Sequence, residues 1–152
     1  MGDDGLGLAA LDLLRSEWSL PPDIELVDGG TWGLTLLPEI EAADRLLLID
    51  AINTGGAPGT LHTLERDQIP RYLATKISPH EVDLRDVLAL AELRGTLPPT
   101  MVAIGLQPAT VELSNGLSDL LRIRLEDLVV AVTERLAHWG HDCRPKAAAS
   151  HA

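Results

Sequence analysis

Four consecutive apolar residues, Leu46-Leu47-Leu48-Ile49, run straight into Asp50 and constrain this chain more than any other feature. A strand with large apolar side chains on both pleat faces has to be covered on both faces. That points to a sheet sandwiched between helical layers, and the flanking patterns supply the helices. Upstream, Leu6, Leu8, Leu11, Leu13 and Leu14 follow helical rather than strand spacing, and Pro21-Pro22 ends that element. Ile24-Glu25-Leu26-Val27 reads as a short strand closed by the turn formers Asp28-Gly29-Gly30, and residues 33–43 form a second helix with Leu34, Leu37 and Ile40 inward.

Downstream of Asp50, residues 53–59 make a Gly-rich turn, 60–64 a strand, and 66–75 an irregular stretch broken by Pro70. Ser78-Pro79-His80-Glu81 has the form of a capping box, with Pro at the first helical position, and the helix it opens runs to about Leu93. A strand follows Pro98-Pro99 at residues 101–106, and Ser118 caps a long amphipathic helix through about Ala137. The expected fold class is α/β: a three-layer α/β/α sandwich around a mostly parallel sheet. At 152 residues this is one domain, residues 1–142, with a loose Ala-rich tail from Cys143 to the end.

Twelve basic residues against 23 acidic ones give a formal net charge of -11, which repels phosphate backbones and anionic membrane surfaces. Nucleic acid is therefore not an expected partner. Cys143 stands alone, so intramolecular disulfides and Cys-rich zinc sites are excluded and a reducing, cytoplasmic setting is expected. No apolar run approaches the ~20 residues that cross a bilayer, and Met1-Gly2-Asp3-Asp4 lacks the regions of a signal peptide, so no membrane insertion is expected. A monomer is the expected state.

Three positions stand out as candidates for chemistry: the acidic pair Asp3-Asp4 at a helix start, Asp50 at a strand end, and His80 in the first turn of a helix. Strand ends and helix starts converge at one edge of an open α/β sheet, where ligands bind. Two carboxylates and an imidazole suit a divalent ion such as Zn²⁺ or Ni²⁺, with remaining positions open to water or substrate. Each residue also has a plainer reading: Asp3 or Asp4 as a helix cap, Asp50 as a turn former, His80 as a solvated side chain. The glycines at residues 2–7 lack both the Lys-Ser/Thr of a P-loop and dinucleotide spacing, which speaks against nucleotide binding. His62, His138, His141 and His151 lack partners at ligand spacing and read as surface or strand residues. Trp32, just after a turn, is a candidate cleft lining.

Taken in order, five segments resemble the signature of the hydrogenase maturation proteases: Gly2-Asp3-Asp4-Gly5-Leu6-Gly7, Asp28-Gly29-Gly30-Thr31, Leu48-Ile49-Asp50-Ala51, Lys76-Ile77-Ser78-Pro79-His80-Glu81 and Gly105-Leu106-Gln107-Pro108. The resemblance extends from Gly2 to about Ala137. It implies that Asp4, Asp50 and His80 bind a divalent metal in a cleft, and that Asp28, Gly29, Gly30, Thr31 and Trp32 line the groove for the substrate. The implied activity is removal of a short C-terminal extension from a [NiFe]-hydrogenase large-subunit precursor, with nickel already held by that precursor as the recognition signal. Asp4 is then best placed to share acid-base work. Whether the metal polarises the scissile carbonyl or activates water stays open. Two rivals are a non-catalytic relative that binds the precursor or nickel without cutting, and an unrelated α/β small-molecule enzyme.

The resemblance also implies that the first strand is missing, because relatives open with an apolar strand and a Gly-x-Gly-Asn turn ahead of the position of Met1. Loss of a central strand leaves bare backbone edges and a gap in the core. The expectation is that Met1 is an internal methionine of a longer protein. A stop codon immediately upstream in frame, with no apolar strand encoded, would end it.

Overall fold

The computed structural model describes residues 5–28, 33–69, 84–109 and 118–146. Helix α1 (Leu6–Glu17) buries Leu6, Ala10, Leu11 and Leu14, the helical spacing that the sequence displays. It stops short of Pro21-Pro22, because Trp18 turns to an extended conformation and opens the two-residue strand β1 (Trp18–Ser19). A 3₁₀ turn at Gly33–Leu36 leads into α2 (Leu37–Ala42), with Pro38 in its first turn. Strand β2 (Arg45–Ala51), strand β3 (Leu61–Glu65), helix α3 (Leu84–Leu93), strand β4 (Thr100–Leu106), helix α4 (Asp119–His138) and strand β5 (Arg144–Pro145) complete the order. Ser118 caps α4 as expected, its hydroxyl accepting from the Leu121 N–H at 3.4 Å. None of the described helices is long and apolar enough to cross a membrane.

The main sheet has the order β2-β4-β3, with β2 and β4 parallel and β3 and β4 antiparallel. Residues opposed across neighbouring strands share a face, and the registers divide this sheet cleanly. Ala51, Leu106 and Leu61 form one row and pack with Leu6, Ala10, Leu14, Leu128, Val129 and Val132 of α1 and α4. Leu48, Ala103 and Leu64 form a row on the opposite face and pack with Ile40, Val87, Leu88 and Ala91 of α2 and α3. The result is the expected α/β/α sandwich. The amphipathic helices each bury one stripe, and the sheet buries both sides.

Burial is uneven across the strands. β4, in the centre, is buried from Met101 to Leu106, whereas in β2 only Leu48 and Ala51 are buried and Leu46, Leu47 and Ile49 are half-buried. The apolar run suggests a strand enclosed on both sides, but among the described residues β2 stands at the edge of the sheet. The expected strand at Ile24–Val27 forms no ladder either. Its residues nevertheless behave like a strand: Ile24 and Leu26 pack toward the α1/α4 core and Val27 toward the α2/α3 core. Alternating hydrophobicity specifies such two-sided packing, but a ladder also needs a strand alongside.

The tail departs from expectation too. Rather than lying loose from Cys143, the chain pairs Trp18 with Pro145 and Ser19 with Arg144 in antiparallel register. Lys146 donates its backbone N–H to Glu17 O at 2.8 Å and its Nζ to Arg15 O at 2.8 Å. Those orphan carbonyls at the end of α1 give polar tail residues partners that composition does not reveal. Residues 147–152 lie outside the described residues.

On the opposite layer, Glu41 in the last turn of α2 accepts hydrogen bonds from Thr96 Oγ1 at 2.5 Å and Arg94 Nε at 2.7 Å, tying α2 to the end of α3. The Thr96 hydroxyl, then the Arg94 guanidinium, hold the Glu41 carboxyl below the ordinary 4.5. A depressed carboxyl contributes stability above the unfolded value and loses it as pH falls through the folded one. Acidifying from pH 5 to pH 3 is therefore expected to lower the thermal midpoint of the wild type more than that of Glu41→Gln. Equal slopes in a thermal melt series would remove this brace as a source of acid sensitivity.

Candidate active site

Asp50 lies at the carboxyl end of β2, where open α/β sheets place their ligands. It is half-buried, and its Oδ1 accepts the N–H of Ala51 at 2.8 Å, which fixes the carboxylate against its own backbone. In register it sits beside Gly105 of β4, and Gly105 sits beside His62 of β3. The row Asp50-Gly105-His62 is thus one step beyond the buried row Leu48-Ala103-Leu64, on the same face. The hydrophobic run positions the acid: the core residues lock the register, and the next position on that face is the carboxylate.

Two glycines bring neighbouring elements against this stretch of backbone. A Cβ on Gly7 would lie 2.6 Å from the Ile49 carbonyl oxygen, so α1 can approach β2 this closely only with glycine there. A Cβ on Gly105 would overlap the Asp50 carbonyl oxygen outright and meet Ile52 Cγ1 and Cδ1 at 2.8 and 2.9 Å. Both contacts fall on consecutive carbonyls at the end of β2. The sequence shows these glycines but not which backbone they admit.

Past the last residues of the ladder, the Ile52 N–H still donates to Leu106 O at 3.0 Å, and beyond it side-chain bonds take over. Gln107, only 4% exposed, donates Nε2 to Asn53 Oδ1 at 2.8 Å and accepts the Thr54 N–H at Oε1, 2.9 Å. The His62 Nε2 lies 3.2 Å from the same Oε1 and 3.3 Å from Thr54 Oγ1. His62 is a strand residue, as expected from the sequence, but it has partners that the sequence reading did not assign. A buried Gln directly after an apolar strand is the signal that could have found them. His141 likewise gains a partner, Asp23, with 3.1 Å between Nδ1 and Oδ2.

Of the other expected site residues, Asp28 is half-buried at the end of the extended segment that follows Pro22. Asp4, His80, Gly29, Gly30, Thr31 and Trp32 lie outside the described residues, as does the expected capping box at Ser78 to Glu81. Among the described residues no three His, Cys, Asp or Glu side chains gather as a metal site would.

Residues 10–135 match the family model described as hydrogenase maturation protease. The chain belongs to the hydrogenase maturation protease family. It is accordingly a hydrolase, an endopeptidase of hydrogenase maturation. Among its relatives, the hydrogenase expression/formation protein HoxM of Cupriavidus necator is 39% identical over 140 residues, which cover 91% of this chain and 69% of that protein. The hydrogenase 2 maturation protease of Escherichia coli is 31% identical over 147 residues, covering 96% of this chain and 90% of its own. The solved structure of the hydrogenase maturating endopeptidase HybD from E. coli superposes with a TM-score of 0.83 at 31% identity, over 96% of this chain and 91% of that one. The α/β/α sandwich of this protease is therefore a framework shared with a solved maturation endopeptidase.

Proposed function

We propose that this protease removes a C-terminal extension from a [NiFe]-hydrogenase large-subunit precursor that already holds nickel, and that Asp50 is the central acid of its site. The observation that carries the reading is the fixed carboxylate at the end of β2, held by a register locked on both faces and by glycines that admit close neighbours. Asp4 and His80 complete the proposed set.

Two carboxylates and one imidazole are a donor set that suits a borderline divalent ion, and on this reading the nickel is part of the substrate. When present, such an ion supplies positive charge beside the scissile peptide. The chain's own residues orient the precursor around that charge. Asp50 contributes a carboxylate whose direction is set by its bond from the Ala51 N–H, so little rotamer freedom is lost when the precursor docks. Asp4 is assigned the acid-base role, and Asp28 with residues 29–32 the groove that receives the extension. The chain's -11 charge favours an encounter with a cationic or metal-bearing segment over one with an anionic surface. The enzyme is taken to act as a monomer in the cytoplasm.

The test is to incubate the protein with nickel-loaded and nickel-free precursor and read the mass of the large subunit. Loss of a C-terminal peptide from the loaded form alone is expected. Binding without any mass loss would favour the rival reading of a non-catalytic relative that engages the precursor. Equal trimming of both forms would remove nickel as the recognition signal.

A further inference from the structure

The Asn53–Gly59 loop leaves β2 three residues after Asp50, and Gln107 holds both of its ends. At the far end its backbone does the work: the Gly59 N–H donates to Gln107 O at 2.8 Å, and the Gln107 N–H donates to Thr60 O at 2.8 Å. At the near end its side chain does, through Asn53 Oδ1 and the Thr54 N–H. Gly59 is pressed from the other side, with Leu120 Cγ 3.0 Å from where a Cβ would be and Arg124 Nε donating to its carbonyl at 3.1 Å. The far end is thus held by backbone bonds and by α4, whereas the near end, next to Asp50, is tied to β4 beyond Ile52 through side chains, with the Gln107 carboxamide at their centre.

The orientation of that carboxamide is dictated by its partners. A backbone N–H can only donate, so the atom facing Thr54 N is the oxygen, and the nitrogen faces Asn53 Oδ1. The same oxygen faces His62 Nε2, which makes that nitrogen the protonated one. All of these groups lie at the sheet end that carries Asp50, and nothing in the fold of the distant core requires them.

We propose that Gln107 is a positioning residue of the peptidase reaction. Its buried carboxamide closes the Asn53–Gly59 loop against β4 and so holds in place the end of β2 that carries Asp50, while His62 and Thr54 brace the carboxamide. The proposal rests on Asp50 belonging to the active site. It adds a role for a residue whose side chain is turned toward the loop rather than the substrate.

The test compares Gln107→Met, Gln107→Glu, the double variant Asn53→Ala/Thr54→Val and Asp50→Ala in the full chain, each assayed for trimming of nickel-loaded precursor and normalised to the folded fraction. Gln107→Met fills the space but makes none of the bonds; its kcat is expected to fall about 10- to 100-fold, with KM changed less than about twofold. Gln107→Glu keeps the oxygen used by Thr54 and His62 and is expected to recover at least part of that loss. The double variant alters only exposed loop residues, so it reports even where Gln107→Met fails to fold, and its kcat should fall about tenfold. In nitrogen-detected NMR of the His62 ring, the Nε2–H form should dominate in the wild type at neutral to basic pH and lose its fixed tautomer in Gln107→Met. Wild-type kcat in the folded fraction of both Gln107→Met and the double variant, beside an inactive Asp50→Ala, would overturn the positioning role alone. Normal trimming by Asp50→Ala would overturn the active-site reading and this proposal with it.

Discussion

Asp50→Asn is expected to cut the rate of precursor trimming by about 10²–10⁴-fold, the range for losing an acid-base or charge-bearing group in a site. The substitution is chosen because the amide oxygen can still accept the Ala51 N–H while the charge is removed. Asp50→Ala removes both and should be at least as damaging. Neither should disturb the fold, since Asp50 is half-buried at a strand end and the rows that lock β2 lie behind it. Circular dichroism and the thermal midpoint should stay close to wild type. The same result is expected of His80→Ala. Unimpaired trimming by Asp50→Asn would mean that the charge at the end of β2 plays no part in the reaction.

The second large effect is structural in origin but reaches the same place. Gly105→Ala puts a methyl group into the Asp50 carbonyl and within 2.9 Å of Ile52, which is itself fully buried and has little room to retreat. Overpacking of this kind costs about 1–3 kcal/mol and more when backbone must move. For a domain of this size that is a fall of roughly 3–10 °C in thermal midpoint. Because the atom struck is the carbonyl of Asp50 itself, the relief is a shift of the end of β2 away from β4. Trimming by the folded fraction should therefore fall as well, which an ordinary core substitution would not cause. Urea unfolding and a trimming assay well below the melting temperature separate the two effects. A melting temperature equal to wild type would show that β2 and β4 can part here without cost.

Much of the fold was legible in the sequence. Leu46 to Ile49, Met101 to Leu106 and the helical stripe of Leu6, Leu11 and Leu14 announce their periodicity directly, since burying apolar area is the dominant local signal. Ser118 announces the start of α4 through its capping chemistry. Less legible was whatever depended on a neighbour. Ile24 to Val27 has the alternation of a strand yet joins no ladder among the described residues, and β2 carries the composition of an enclosed strand while lying at the edge of the described sheet. The polar tail around Arg144 looks loose in composition, but it finds the exposed carbonyls at the end of α1.

The candidate site divides along the same line. Asp50 stood out at the end of an apolar strand, but local sequence alone reads it equally as a turn former, and the ordered family signature is what singled it out. Gln107 and Gly105 could be seen as letters in a motif and His62 as a strand or surface residue, but their tasks could not. A glycine is readable as permission for close approach, and only the packing says that the atom approached is the Asp50 carbonyl. A buried amide is readable as needing partners, and only the fold supplies Asn53, Thr54 and His62 from 54, 53 and 45 positions away. By itself the sequence determined the layers, the strand that ends in Asp50 and the family's ordered signature, because these follow from local periodicity and residue chemistry. The tertiary structure alone decided which backbone each glycine admits, which loop Gln107 closes and where β2 sits in the sheet, because those are long-range contacts that no local preference encodes.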